Sequence, residues 1–292
     1  MVYFIENGYL SVGVDTLGAQ LSSILSKKTN CEYLWQGDEK YWKGRAYNLF
    51  PHVGRLAGGK FVVEGKEYAM DRHGFARGMD FVLTAKAPSS MTFTISANDQ
   101  TKKLYPFDFI FSVTFSLQKN QLLVSYKIQN AGKNTMFFGL GGHPGFNLPF
   151  DGGEFEDYFV EFDSECVPTQ VFANEKGLMT NLSSPLNLEN SKVLRLKHEL
   201  FDNDAIIMKD TPKGVSIKAK HTNRSVRVVF DKMPYLGLWH MPKTDAPYLC
   251  IEPWMTLPSP DGEPEVFERK ENIGIVKPNE SFTSDFAIYI NE

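Results

Sequence analysis

Cysteine is scarce in this chain, and long apolar runs are absent. Cys31, Cys166 and Cys250 are odd in number, widely separated and without paired or metal-type spacing. That excludes a disulfide framework and fits a reducing compartment, so a cytoplasmic protein is expected. No stretch approaches the roughly 20 apolar residues of a membrane-spanning helix. The opening run Met1-Val2-Tyr3-Phe4-Ile5 has no positive start and is cut short by Glu6 before the turn pair Asn7-Gly8, so it does not read as an export signal. A surplus of either charge is also missing. With 31 basic residues interspersed among 35 acidic ones and a net charge of −4, the chain has no basic stripe for a phosphate backbone, and nucleic acid is excluded as a partner. The familiar catalytic signatures are absent too: no G-x-S-x-G elbow, phosphate-binding P-loop, dinucleotide fingerprint or H-E-x-x-H helix. The six histidines, at 52, 73, 143, 198, 221 and 240, do not fall at a metal-ligand spacing.

What the chain does have is apolar alternation with a period of two, the mark of strands with one buried and one wetter face. Phe109, Phe111, Val113, Phe115 and Leu117 alternate with Ser112, Thr114 and Ser116; Leu122, Val124, Tyr126 and Ile128 follow after the hairpin link Gln118-Lys119-Asn120. Met91-Phe93-Ile95, Val215-Ile217-Ala219, Val226-Val228-Phe230 and Phe282 to Ile290 repeat the pattern, and Glu64-Gly65-Lys66 marks a tight hairpin. At least eight strands are expected and few helices, with the 23 glycines and 16 prolines in the turns. No internal repeat or linker divides the 292 residues, so one all-β domain over 1–292, a large antiparallel β-sandwich, is the expected architecture. From about Cys166 to Leu200 the alternation weakens, and long loops walling a ligand groove are expected there.

Four segments gather titratable and aromatic residues beside glycine or proline. In Val53-Gly54-Arg55-Leu56, Arg55 could fork onto sugar hydroxyls or a phosphate, or could equally be a surface arginine. In Arg72-His73-Gly74-Phe75-Ala76-Arg77, two cations crowd His73 and would favour its neutral form if the three groups are close. His52, near Arg55, reads as the bland, structural case. In Gly141-Gly142-His143-Pro144-Gly145-Phe146-Asn147, glycine contributes no side chain and proline no ladder donor. A backbone shaped to hold His143 over a cleft and a glycine-rich bulge with an incidental histidine both fit. In Tyr248-Leu249-Cys250-Ile251-Glu252-Pro253-Trp254, apolar surroundings would raise the proton affinity of Glu252, as a general base requires. The plainer alternative is an edge-strand glutamate beside core tryptophans. Trp239 and Trp254 offer flat apolar faces with indole N–H groups free to bond.

Taken together, these four motifs resemble those of the aldose 1-epimerase family of the galactose mutarotase-like superfamily, over nearly the whole chain. Within the family, the His-Pro and Glu-Pro-Trp contexts look most like a bacterial branch. The resemblance implies a β-sandwich with a sugar in a groove across one sheet, and no cofactor or metal. It also implies Glu252 as general base, His143 as general acid, and Arg55 and His73 on the sugar. The family's sugar-binding aspartate is sought in Leu200-Phe201-Asp202-Asn203-Asp204, with Asp204 preferred over Asp202. The expected reaction is interconversion of hexose anomers by a monomer or homodimer. Two alternatives stay open. Lys43, Arg45, Arg55, Arg72 and Arg77 would suit a hexose 6-phosphate, and the same scaffold could serve a non-catalytic carbohydrate-binding protein.

Overall fold

The alternating segments pair as their periodicity requires. The structure, a computed structural model, describes Met1–Glu292 and holds antiparallel sheets of nine and seven strands with smaller ones at their margins. The nine-stranded sheet runs 193–195, 158–162, 214–219, 225–230, 281–291, 121–130, 109–118, 90–96, 82–87. Phe109–Gln118 and Gln121–Asn130 form its longest hairpin, with Phe111 opposite Ile128 and Phe115 opposite Val124. Every second residue of Phe109–Gln118 is buried. On the wetter face, hydroxyl pairs such as Thr92–Thr114 and Thr94–Ser112, each 2.9 Å apart, satisfy one another across strands.

The seven-stranded sheet runs 179–185, 169–173, 206–209, 235–239, 248–254, 141–147, 46–49. It lies against the first sheet: a Cβ on Gly142 would come 2.7 Å from the Phe286 ring, and Tyr126 Oη donates to Asn48 Oδ1 at 2.9 Å. A cluster of 63 buried apolar residues fills the interior. Central strands of this sheet are buried on both faces along their whole length. Tyr235–Trp239 and Tyr248–Trp254 are buried at every position, because a second layer of loops and aromatic side chains covers the outer face.

Two sequence expectations need correction. The stretch from Cys166 to Leu200 is not a set of long loops, since Thr169–Ala173, Met179–Pro185 and Val193–Arg195 are strands. Met179–Pro185 is an edge strand whose side chains mostly face solvent. It is held by backbone pairing rather than an apolar stripe, which is why alternation does not reveal it. Nor is Glu252 on an edge: its strand is flanked by 235–239 and 141–147.

Candidate active site

Register builds the site. In the ladder between Gly141–Asn147 and Tyr248–Trp254, Gly141 pairs with Trp254 and Gly145 with Cys250, which sets His143 opposite Glu252. Pro144 and Pro253 stand beside them and cannot donate to the ladder, so the pairing is interrupted at this point. His143 Nε2 lies 3.2 Å from Glu252 Oε2, and both side chains are almost completely buried, 6% and 2% exposed. On the outer sides, Tyr47 pairs with His143 and Gly237 with Glu252.

The glycines around His143 take neighbouring rings rather than leave open space. A Cβ on Gly141 would meet Trp254 at 2.9 Å, one on Gly145 would meet Trp42 at 3.1 Å, and one on Gly237 would meet Trp254 at 3.1 Å. The rings admitted in this way frame the imidazole. Trp42 stacks on it with centroids 4.8 Å apart at 28°, while Trp239 and Tyr47 present edges at 5.6 and 6.2 Å.

His73 approaches from the turn 71–78, its ring 5.6 Å from that of His143. His73 N–H donates to Gly54 O at 2.8 Å, and Gly54 N–H donates to His73 Nδ1 at 3.1 Å. The exchange needs left-handed backbone at both Gly54 and Gly74, where a Cβ would fall 2.3 Å from Pro258 and from Phe50 O respectively. Arg72 Nε lies 3.1 Å from His73 Nε2. A neutral imidazole accepts at one nitrogen only, so both contacts cannot be hydrogen bonds at once.

Two adjoining hollows share Arg72 and His73. One, about 440 Å³, is lined by Trp42, Tyr47, Arg77, His143 and Trp239 among others. The second is lined by Arg55, Asp204 and Trp254. Asp202 instead faces a separate open hollow with His198 and Asp245. His52 is an interior residue, buried against Phe267 with Nε2 3.3 Å from Arg55 O.

Burial sets the electrostatics. Desolvation, helped by Arg72, lowers the His143 proton affinity to a pKa of about 3, and desolvation pushes the Glu252 carboxyl well above the carboxylate range. His73 is driven well down by burial first and by Arg72 next. Each member of the His143–Glu252 pair is thus pushed toward its neutral form. Four buried polar atoms here lack a hydrogen bond of good geometry: His143 Nδ1, Glu252 Oε2, Trp239 Nε1 and Trp254 Nε1, the last lying near enough to the Glu252 carboxyl to lower its proton affinity slightly. The approach of His143 Nε2 to Glu252 Oε2 is therefore close without being aligned as a hydrogen bond. Buried polar atoms are normally satisfied, so this set of orphans suits a polyhydroxylated ligand. Donor atoms of His143, Cys250 and Glu252 also lie within 4.8 Å of one another. Burial keeps the Cys250 thiol protonated and the Arg72 charge acts on the same spot, so the trio is poorly suited to a cation.

The structure brings His143, Glu252, His73 and Trp239 around one centre, with Arg55, Asp204 and Trp254 in the adjoining hollow. Sequence reasoning missed Trp42, and Tyr47, which opens the segment Tyr47-Asn48-Leu49-Phe50-Pro51-His52-Val53-Gly54-Arg55-Leu56, was not singled out as a site residue. The only signal of Trp42 was aromatic density around Gly44 in Tyr41-Trp42-Lys43-Gly44-Arg45-Ala46-Tyr47, a segment with no periodicity.

Known proteins share this fold over the full chain. The model of the family described as aldose 1-epimerase matches residues 1–288. The chain is similar to the plasmid-encoded protein LacX of Lactococcus lactis subsp. lactis, at 32% identity over 300 residues and 99% of each chain. It is also similar to the galactose mutarotase of Rattus norvegicus, at 28% identity over 185 residues, 57% of this chain and 53% of that one. Among solved structures, a galactose mutarotase related enzyme from Lactobacillus acidophilus superimposes with a TM-score of 0.94 at 33% identity, covering 100% of this chain and 98% of the other. A galactose mutarotase-like protein from Lactobacillus casei gives 0.93 at 28% identity, with complete coverage of both.

Proposed function

The chain belongs to the aldose 1-epimerase family, and from that premise we propose that it interconverts the α and β anomers of a hexose by opening and closing the pyranose ring. The observation that carries this reading is the buried His143–Glu252 pair, 3.2 Å apart and ringed by unpartnered polar atoms.

Ring opening takes a proton from the C1 hydroxyl and delivers one to the ring oxygen while the C1–O5 bond breaks. Closure after rotation about C1–C2 reverses both transfers. One group must accept while another donates. Because each member of the pair is pushed toward neutrality, the two hold one mobile proton between them. Its movement from Glu252 to His143, relayed by a bound sugar hydroxyl because the two side chains are not themselves aligned as a hydrogen bond, gives the carboxylate and imidazolium forms. In those forms Glu252 takes the hydroxyl proton and His143 protonates O5; reclosure from the other face returns the protons. His73, Arg55 and Asp204 would hold hydroxyls, and Trp239 and Trp254 would offer their indole N–H groups and apolar faces to the ring.

Positioned acid–base groups contribute roughly 10²- to 10⁴-fold. Optical rotation of fresh α-glucose or α-galactose should therefore relax much faster with the native protein than with Glu252→Gln. An unchanged rate in that variant removes Glu252 from the mechanism. Sugar affinity by calorimetry without any acceleration would make the protein a carbohydrate binder instead.

One observation favours a second reading, a hexose 6-phosphate as substrate. Arg72 and Arg77 line the cavity of His143, and neither forms an ion pair with a carboxylate, so both charges are free to meet an anionic group there. Rates on glucose and glucose 6-phosphate, measured side by side, separate the two readings.

A further inference from the structure

Trp42 lies on no strand of the site sheet, yet its ring meets the proposed acid face to face, and the register explains how. His143, Gly145 and Asn147 share one face of their strand; Glu252, Cys250 and Tyr248 lie opposite them. Trp42 fills the ground above Gly145, where a Cβ would be 3.1 Å from the indole and 3.3 Å from Cys250 Sγ. It thereby stands between the His143 row and the Tyr248 row. Its ring is 4.8 Å from His143 at 28° and 5.8 Å from Tyr248 at 33°.

The loop bearing it is anchored. Trp35 Nε1 donates to Trp42 O at 2.9 Å, Trp42 N–H donates to Asp38 O at 2.9 Å, and a Cβ on Gly44 would lie 2.5 Å from the Trp42 ring. We propose that Trp42 is a positioning residue: its indole face fixes the orientation of the His143 ring and stabilises the imidazolium formed during the proton exchange. An aromatic face within about 6 Å of a cation attracts it, and indole does so best. The face that meets His143 is unavailable as a sugar platform.

The proposal rests on the reading of His143 as an acid–base group, so His143→Asn is the control. Trp42→Leu should lower kcat about tenfold, the factor expected of a cation–π contact, with KM and calorimetric sugar affinity held within about twofold. Trp42→Phe, which keeps a π face and the fold, should recover most of kcat. The alkaline limb of kcat, which follows loss of the proton shared by His143 and Glu252, should move to lower pH in the order native, Trp42→Phe, Trp42→Leu, because a less stabilised imidazolium form weakens the pair's hold on that proton. That limb is also shaped by Glu252 and Cys250 on the neighbouring strand, Tyr47 on the other, and Arg72, His73 and Arg77 from the 71–78 turn. Glu39 and Lys43, on the loop of Trp42 itself, line the same cavity. A rise in KM with kcat unchanged would make Trp42 a sugar platform and overturn the proposal, as would equal kcat in Trp42→Phe and Trp42→Leu. Wild-type rates in His143→Asn would instead sink the functional reading itself.

Discussion

The two large sheets handle polar groups in opposite ways. In the nine-stranded sheet, buried apolar residues alternate with hydroxyls that pair across strands on the wetter face. In the seven-stranded sheet, strands buried on both faces carry a histidine, a glutamate, two prolines and two tryptophans, and four of their buried polar atoms lack a hydrogen bond of good geometry. Unsatisfied buried groups destabilise a fold, so the contrast separates a region organised for stability from one organised for a ligand. Substitutions in the two sheets should therefore act on different observables.

The largest effect expected is on rate. Glu252→Gln or His143→Asn should lower anomerisation by roughly 10²- to 10⁴-fold while leaving the melting temperature equal or higher, because each removes a group that burial holds in an unfavourable state. A large fall in melting temperature would erase the contrast. The converse probe is Phe111→Ala. Phe111 is fully buried and stacks on Phe50 at 4.6 Å, so the change should cost about 3–5 kcal/mol in denaturant unfolding, with kcat per folded molecule unchanged.

A smaller effect concerns pH. The folded His143 titrates at about 3 against an ordinary value of 6.5, so the unfolded chain takes up its proton first and stability falls as pH drops from 6.5 toward 3. Glu252, raised above its ordinary 4.5, has the opposite sign. Its contribution is fully present below 4.5 and is lost as pH rises toward its folded value, so the two oppose each other between 4.5 and 6.5. Below 4.5 the histidine acts without that opposition, and urea midpoints should decline less steeply there in His143→Asn than in the native protein. The smallest effect is Trp239→Phe, which removes one unpartnered N–H and should raise KM a few-fold with little change in kcat.

The same contrast explains what the sequence discloses. The hairpin 109–130 is legible because one face is core and the other solvent, so the period of two is written in its residues. Strands buried on both faces show no alternation. They surface only as clusters of glycine, proline and aromatics, and these mark His143 and Glu252 without saying that register sets them opposite each other. Asp204 and Asp202 are two residues apart and chemically alike. Only the backbone turn into Ile206–Lys209 sends Asp204 toward Arg55 and Trp254 and leaves Asp202 beside His198. Trp42 is illegible for a related reason: its partner is 101 positions away and is reached through a gap that Gly145 leaves.

The most direct test of the central claim is NMR exchange spectroscopy on an equilibrated hexose, following magnetisation transfer between the α and β H1 signals. The account predicts exchange cross-peaks with the native protein and none above buffer with Glu252→Gln. Cross-peaks of equal intensity for the two proteins would contradict it.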